Sequence, residues 1–247
     1  MIEIAISMAI AAFALVAILG NLPKGMQVQR ENREDTLINQ DAVLLMEGIK
    51  NGARGFRGLS NQVDRIDISS SSGFSATYTD PLMVFSAERV VGLLSTPKYQ
   101  FSDNTGTVAW TNDVFAVVRS ISGSSGEKDP DLSDFAFKYR VHSEIVPFTS
   151  LPSNFSQTFT NTPSPHLVSL APPATGTLNQ TNNWRRARSL NQNLYELKLT
   201  FQWPVLADGS VGRRKKVYRT LVQSTLVQTN LTSSVVGYFF SSPPASN

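Results

Sequence analysis

From Ile4 to Pro23 the chain carries no charged side chain: IAISMAIAAFALVAILGNLP lies between Glu3 and Lys24. In a helix, twenty residues rise about 30 Å, the thickness of a bilayer's hydrocarbon core. A soluble domain has no need of a terminal rod that is apolar on every side. The segment therefore has to lie in lipid or against other copies of itself. Nothing basic precedes Lys24, and the run flows straight into further helical pattern, which is unlike a secretory signal peptide. The expectation is a retained segment of a mature chain whose leader, if any, has been removed.

Gly20 and Pro23 loosen the helix at the end of the run, because proline removes a backbone donor and crowds the preceding turn. They mark either the ordinary end of a membrane helix or a hinge. Gly25 adds softness. Beyond it the helical period returns, with Leu37, Ile38, Leu44, Leu45 and Ile49 sharing one face. Arg30, Arg33, Glu34 and Asp41 fall largely elsewhere, and Asn51-Gly52 is a plausible stop. The first half of this rod seeks lipid or neighbours, and its second half seeks a domain to pack on.

After residue 52 the signals turn to β. A short helix is expected within 81–94, capped by Asp80 or Ser86 and ended by Pro97. Phe135, Phe137, Tyr139 and Val141 alternate with polar neighbours, as do Tyr195, Leu197, Leu199, Phe201 and Trp203. Both read as half-buried antiparallel strands. Asp208-Gly209 marks a turn, with Val217 to Val227 as the returning strand. Residues 149–183 hold twelve Ser or Thr, five Pro and five Asn but no charge, so they predict a long surface loop without a core of its own. The fold class is α+β: a long N-terminal helix (1–52) packed on an antiparallel β-sheet head (53–247) with long Ser/Thr/Pro-rich loops.

Chemistry is sparse. The 247 residues include no cysteine, which excludes disulfides, a thiolate nucleophile and Cys-based metal sites. The two histidines, His142 and His166, read as solvated side chains, and no phosphate loop or His-pair zinc motif occurs. No enzyme activity is expected. Asp129, Asp131 and Asp134 form a weak candidate Ca²⁺ loop, with a solvated turn as the ordinary reading. A net charge of +3 is too small to argue for nucleic acid by itself. The basic clusters Trp184–Arg188 and Arg213–Lys216 could contact an anionic polymer such as DNA, but the second, beside a hairpin turn, reads first as an exposed tip.

Together the block MIEIAISMAIAAFALVAILGNLP with its lone Glu3, the following Gly20 and Pro23, and the order of rod and β-rich head resemble type IV pilins and the pseudopilins of type II secretion systems. The close resemblance covers about the first quarter of the chain. It implies a subunit cleaved by a prepilin peptidase, N-methylated, held in the inner membrane before assembly, and then packed into an extracellular filament at the bacterial cell surface. It places Met1, Glu3, Ile4, Met8, Phe13, Leu15 and Leu19 at the subunit interface, with Glu3 pairing the α-amino group of a neighbour. The plain alternative is that Glu3 snorkels to the membrane surface. The family's Glu is normally the fifth mature residue and its first is often Phe, whereas here the Glu is third and Met1 leads.

The implied partners are other copies of the chain, the inner membrane and the assembly machinery. Some pseudopilins carry a calcium loop, and pilins often carry O-linked sugar. The candidate glycosylation loop here includes Ser153, Asn154, Ser156, Thr158, Thr160 and Thr162. Sequons at Asn154, Asn179 and Asn230 are usually accidental in a bacterial protein. Rival readings are a minor pseudopilin and a membrane-anchored periplasmic binding module.

Overall fold

A computed structural model describes residues 2–52, 59–79, 86–101, 108–123, 137–148, 178–231 and 235–241. Helix α1 (Ile2–Lys50) runs 49 residues, about 74 Å, and ends in a turn where Gly52 takes φ +62°. Through residue 30 every described side chain is exposed. Thereafter Glu34, Leu37, Ile38, Asp41, Ala42, Leu45, Gly48 and Ile49 form a buried stripe at three- and four-residue spacing. The loosening expected at Gly20 and Pro23 does not appear as a break. Pro23 sits inside a continuous α-helix, where it removes only the one bond its N–H would make to Leu19. A Cβ at Gly20 or Gly25 would meet nothing within 4 Å, so no neighbour forces a kink.

The head is an antiparallel sheet. Its strands are β1 (Val63–Ser70), β2 (Ser75–Thr79), β3 (Tyr99–Phe101), β4 (Val108–Arg119), β5 (Lys138–Pro147), β6 (Leu194–Val205) and β7 (Val211–Gln223). The order is β2-β1-β4-β5-β6-β7, and β3 pairs with β4 at Val108 to Thr111, before β5 takes over from Val114. One face carries Val114, Ala116, Val118, Tyr139, Val141, Ile145, Leu197, Leu199, Phe201 and Trp203, all buried. It receives the apolar stripe of α1. Helix α2 (Ala87–Leu94), capped by the Ser86 hydroxyl accepting from the Arg89 N–H, packs on the same core.

The strands expected around Tyr139 and Tyr195 lie where the alternation puts them. Phe135 is outside the described residues. Gly209, with φ +81°, makes the turn after Asp208. The returning strand begins earlier than expected, at Val211, and Ser224 breaks it before Val227. From there β8 (Thr225–Asn230) and β9 (Val236–Ser241) form a separate hairpin.

A second correction concerns the uncharged stretch. Its described end, from Leu178, is not loop but the start of α3 (Leu178–Asn193), which runs directly into β6. Among its described side chains only Ala187 and Asn191 are buried, so no apolar period announced it.

Bonding between Arg214, Lys216 and Tyr218 and Glu34 to Asn39 sets β7 parallel to α1. The antiparallel pairings then make β4 run opposite to α1, its first residues lying at the end of the head away from the apolar half-helix.

The β8–β9 hairpin meets α2 at two glycines. A Cβ on Gly92 would lie 2.7 Å from Phe239 Cζ and 3.3 Å from Gly237 Cα. Gly92→Ala is expected to lower stability by about 1–3 kcal/mol in urea unfolding, through overpacking at this crossing. An unchanged midpoint would show that the hairpin yields freely.

Candidate assembly surface

Two surfaces divide α1. The outer one is apolar on all sides. At about 100° per residue, Ile4, Met8, Leu15 and Leu19 fall within about 60° of one another, and Phe13 points opposite to them. Met8 is 69 % exposed and Phe13 79 %. Thirteen large apolar side chains from Ile2 to Val28 stand open, and covering each is worth up to roughly 1.5–3 kcal/mol. Together these exceed the roughly 5–15 kcal/mol that holds a domain folded. By length and composition this helix can cross a membrane.

Three polar side chains interrupt that surface near its ends. Ser7 Oγ donates to the Glu3 carbonyl at 2.9 Å, and Asn21 Nδ2 donates to the Ala17 carbonyl at 2.9 Å. Ser7 thereby satisfies its one donor within its own helix, and Asn21 one of its two. The Glu3 carboxylate has no partner among the described residues. The next charged side chain along the rod, Lys24, is about 31 Å away. Met1 is outside the described residues.

The inner surface is the joint with the head. Asp41, fully buried, accepts from the Ile121 N–H at 2.9 Å, the Ser122 N–H at 2.8 Å and Tyr139 Oη at 2.9 Å. Burial, then the charge and hydrogen bond of Asp41, push the Tyr139 phenol well above its ordinary pKa, so it remains a donor. Beside this pair, Glu34 accepts from Arg30 Nε and Arg214 Nη1, each at 2.9 Å, while Arg214 Nη2 reaches Asp35 at 3.0 Å. The Arg214 guanidinium also lies over the Trp203 ring, 5.3 Å from its centroid. Lys216 donates to Asn39 Oδ1 at 2.8 Å, and Tyr218 Oη donates to the same oxygen.

This joint corrects two expectations. Glu34 and Asp41 lie on the buried stripe, not off it. Their separation of seven residues, in phase with Ile38 and Leu45, was the available signal. The Arg213–Lys216 cluster is not a uniform exposed tip. Strand alternation sends Arg214 and Lys216 to α1 and leaves Arg213 and Lys215 exposed. In the other basic cluster, Arg185 and Arg186 are exposed on α3.

On the opposite face of the sheet, the buried Glu144 accepts from Lys98 at 2.5 Å and from Lys198. Burial raises its pKa, but the hydrogen bonds from Lys198 and Lys98 outweigh that and hold the carboxyl at about 2. His142 is half-buried rather than solvated, stacked on Phe115 with ring centroids 4.5 Å apart, and burial lowers its pKa. Among the described residues no three His, Asp or Glu side chains converge as a metal site. Asp129, Asp131, Asp134, His166 and the candidate glycosylation residues 153–162 are outside the described residues.

Comparison with known proteins gives no match to a family model, a curated protein or a solved structure.

Asp41→Ala would leave two partly buried backbone N–H groups and a buried phenol without their acceptor. The expected loss is about 3 kcal/mol or more in denaturant unfolding of the full chain in detergent. A loss under about 1 kcal/mol would mean that the joint does not depend on this carboxylate. The Glu144 pair adds a pH signature. Its folded pKa lies below the ordinary 4.5, so its contribution is present above that value and is lost as pH falls toward about 2. The wild type should therefore exceed Glu144→Gln by on the order of 2 kcal/mol at neutral pH, with the gap closing in acid.

Proposed function

We propose that this chain is a structural subunit, similar to pilins and pseudopilins, that polymerises through the apolar half of α1. The observation that carries the reading is the division of one helix. Residues 34–49 are fixed to the head, while residues 2–30 stand exposed with a carboxylate at their start that has no partner among the described residues. Before assembly the exposed half sits in the bilayer. In the filament, homologous helices cover it.

Lipid tails are as apolar as leucine, so moving the rod from bilayer to helix bundle gains little hydrophobic free energy. Axial register must then come from polar contacts. Ser7 and Asn21 each bond within their own helix, and Glu3 is the one charged side chain before Lys24, so it is the group best suited to specify register, by pairing with the α-amino group of an adjacent subunit. The head, facing outward from such a bundle, would form the surface of a filament outside the cell.

The test is Glu3→Ala beside wild type, expressed in cells with assembly machinery and examined by electron microscopy of sheared material. Wild-type filaments and few or none from the variant are expected. Normal filaments from Glu3→Ala would remove the proposed role of the carboxylate. A wild type that stays in the membrane and never polymerises would replace the subunit reading with that of a membrane-anchored module.

A further inference from the structure

At the end of the head farthest from the apolar half-helix, a cavity of about 340 Å³ opens between the main sheet, the C-terminal end of α2 and the β8–β9 hairpin. It is within the size range of small-ligand sites. Four aromatic rings line it: Phe74 from the β1–β2 turn, Tyr78 from β2, Trp110 from β4 and Tyr238 from β9. Phe74 and Trp110 remain 57 % and 39 % exposed, more than large aromatic side chains need in a structural role. The remaining lining is aliphatic, hydroxyl or amide, and among the described residues no charged side chain contributes to it.

The polar groups are set as mixed donors and acceptors. Asn112 Nδ2 donates to the Pro97 carbonyl at 3.0 Å, which leaves Asn112 Oδ1 to accept. Tyr238 Oη donates to Gln100 Oε1 at 3.4 Å, which leaves the Gln100 amide N–H groups to donate. Gln228, exposed on β8, adds an amide with no hydrogen bond among the described residues.

We propose that this groove binds a short neutral saccharide. A lining without ionised groups offers nothing to offset the desolvation of a phosphate, a carboxylate or an ammonium, so a charged ligand is disfavoured. A sugar presents apolar C–H faces, which pack against the electron-rich faces of aromatic rings. It also presents hydroxyls that donate and accept at once, matching amides held in both senses. A proline-rich peptide shares the affinity for aromatics but offers acceptor carbonyls almost alone, leaving the Asn112 acceptor unmet. The site stands independently of polymerisation, since every lining residue belongs to one head.

The test uses the full chain in detergent, titrated with cellobiose, lactose, N,N′-diacetylchitobiose, sialyllactose and decaproline, and followed by calorimetry and saturation-transfer NMR. Saturable binding of at least one of the three neutral disaccharides is expected, insensitive to salt, with sialyllactose no tighter than lactose. Trp110→Ala and Gln228→Ala should each weaken it about tenfold or more. Gln228 is exposed, so its variant tests the site even where Trp110→Ala fails to fold. Absence of disaccharide binding, binding unchanged in Gln228→Ala, or preference for decaproline overturns the proposal.

Discussion

The buried Asp41 carboxylate sets the terms on which helix and head coexist. A charge taken out of water is tolerated only where donors replace the lost hydration. Asp41 finds three: two successive backbone N–H groups at the end of β4 and one phenol on β5. Those donors come from parts of the chain 80 to 98 residues away, so the contact needs β4 and β5 paired beside the helix. A helix slipped by one residue would carry the carboxylate about 100° around its axis and strand all three donors. The joint thus fixes rotation and translation together, and the Arg214 and Asn39 contacts repeat the same register farther down the rod.

Much of this was legible in the residues, for identifiable reasons. The uncharged run announced a rod with no polar face, and the alternation around Tyr139 and Leu197 announced strands, because burial on one side of a helix or sheet imposes a period. Asp208-Gly209 gave the turn through the backbone it requires. What escaped detection lacked a period or crossed the chain. Helix α3 buries too little to show a stripe, and the pairing of Glu144 with Lys98 and Lys198 joins residues 46 and 54 apart. Asp41 escaped because a charged residue in an amphipathic helix is ordinarily assigned to the wet side, and only its tertiary donors reverse that. The groove was unreadable for the same reason: its rings come from four separate elements.

The two faces of the sheet divide the labour of stability. The helix-facing side is apolar and holds the rod. The other side carries the Lys98–Glu144–Lys198 triad and the stack of His142 on Phe115, with Arg140 5.2 Å above that ring. Charges there are compensated in place by opposite charges on neighbouring strands and the α2–β3 connection.

The stretch from Lys24 to Arg33 also acquires a meaning from where it sits. Charge-free helix between Glu3 and Lys24 measures about 31 Å, so a bilayer of ordinary thickness would match the rod at one depth. The first side chain that the head buries is Glu34, ten residues, or about 15 Å, beyond Lys24. A lipid headgroup layer is thinner than that, at roughly 5–8 Å per leaflet. In a bilayer those polar turns would separate the buried joint from the headgroups, and the part of the head nearest the lipid would be the β6–β7 turn at Gly209, which reaches back along the rod from the Arg214–Glu34 contact.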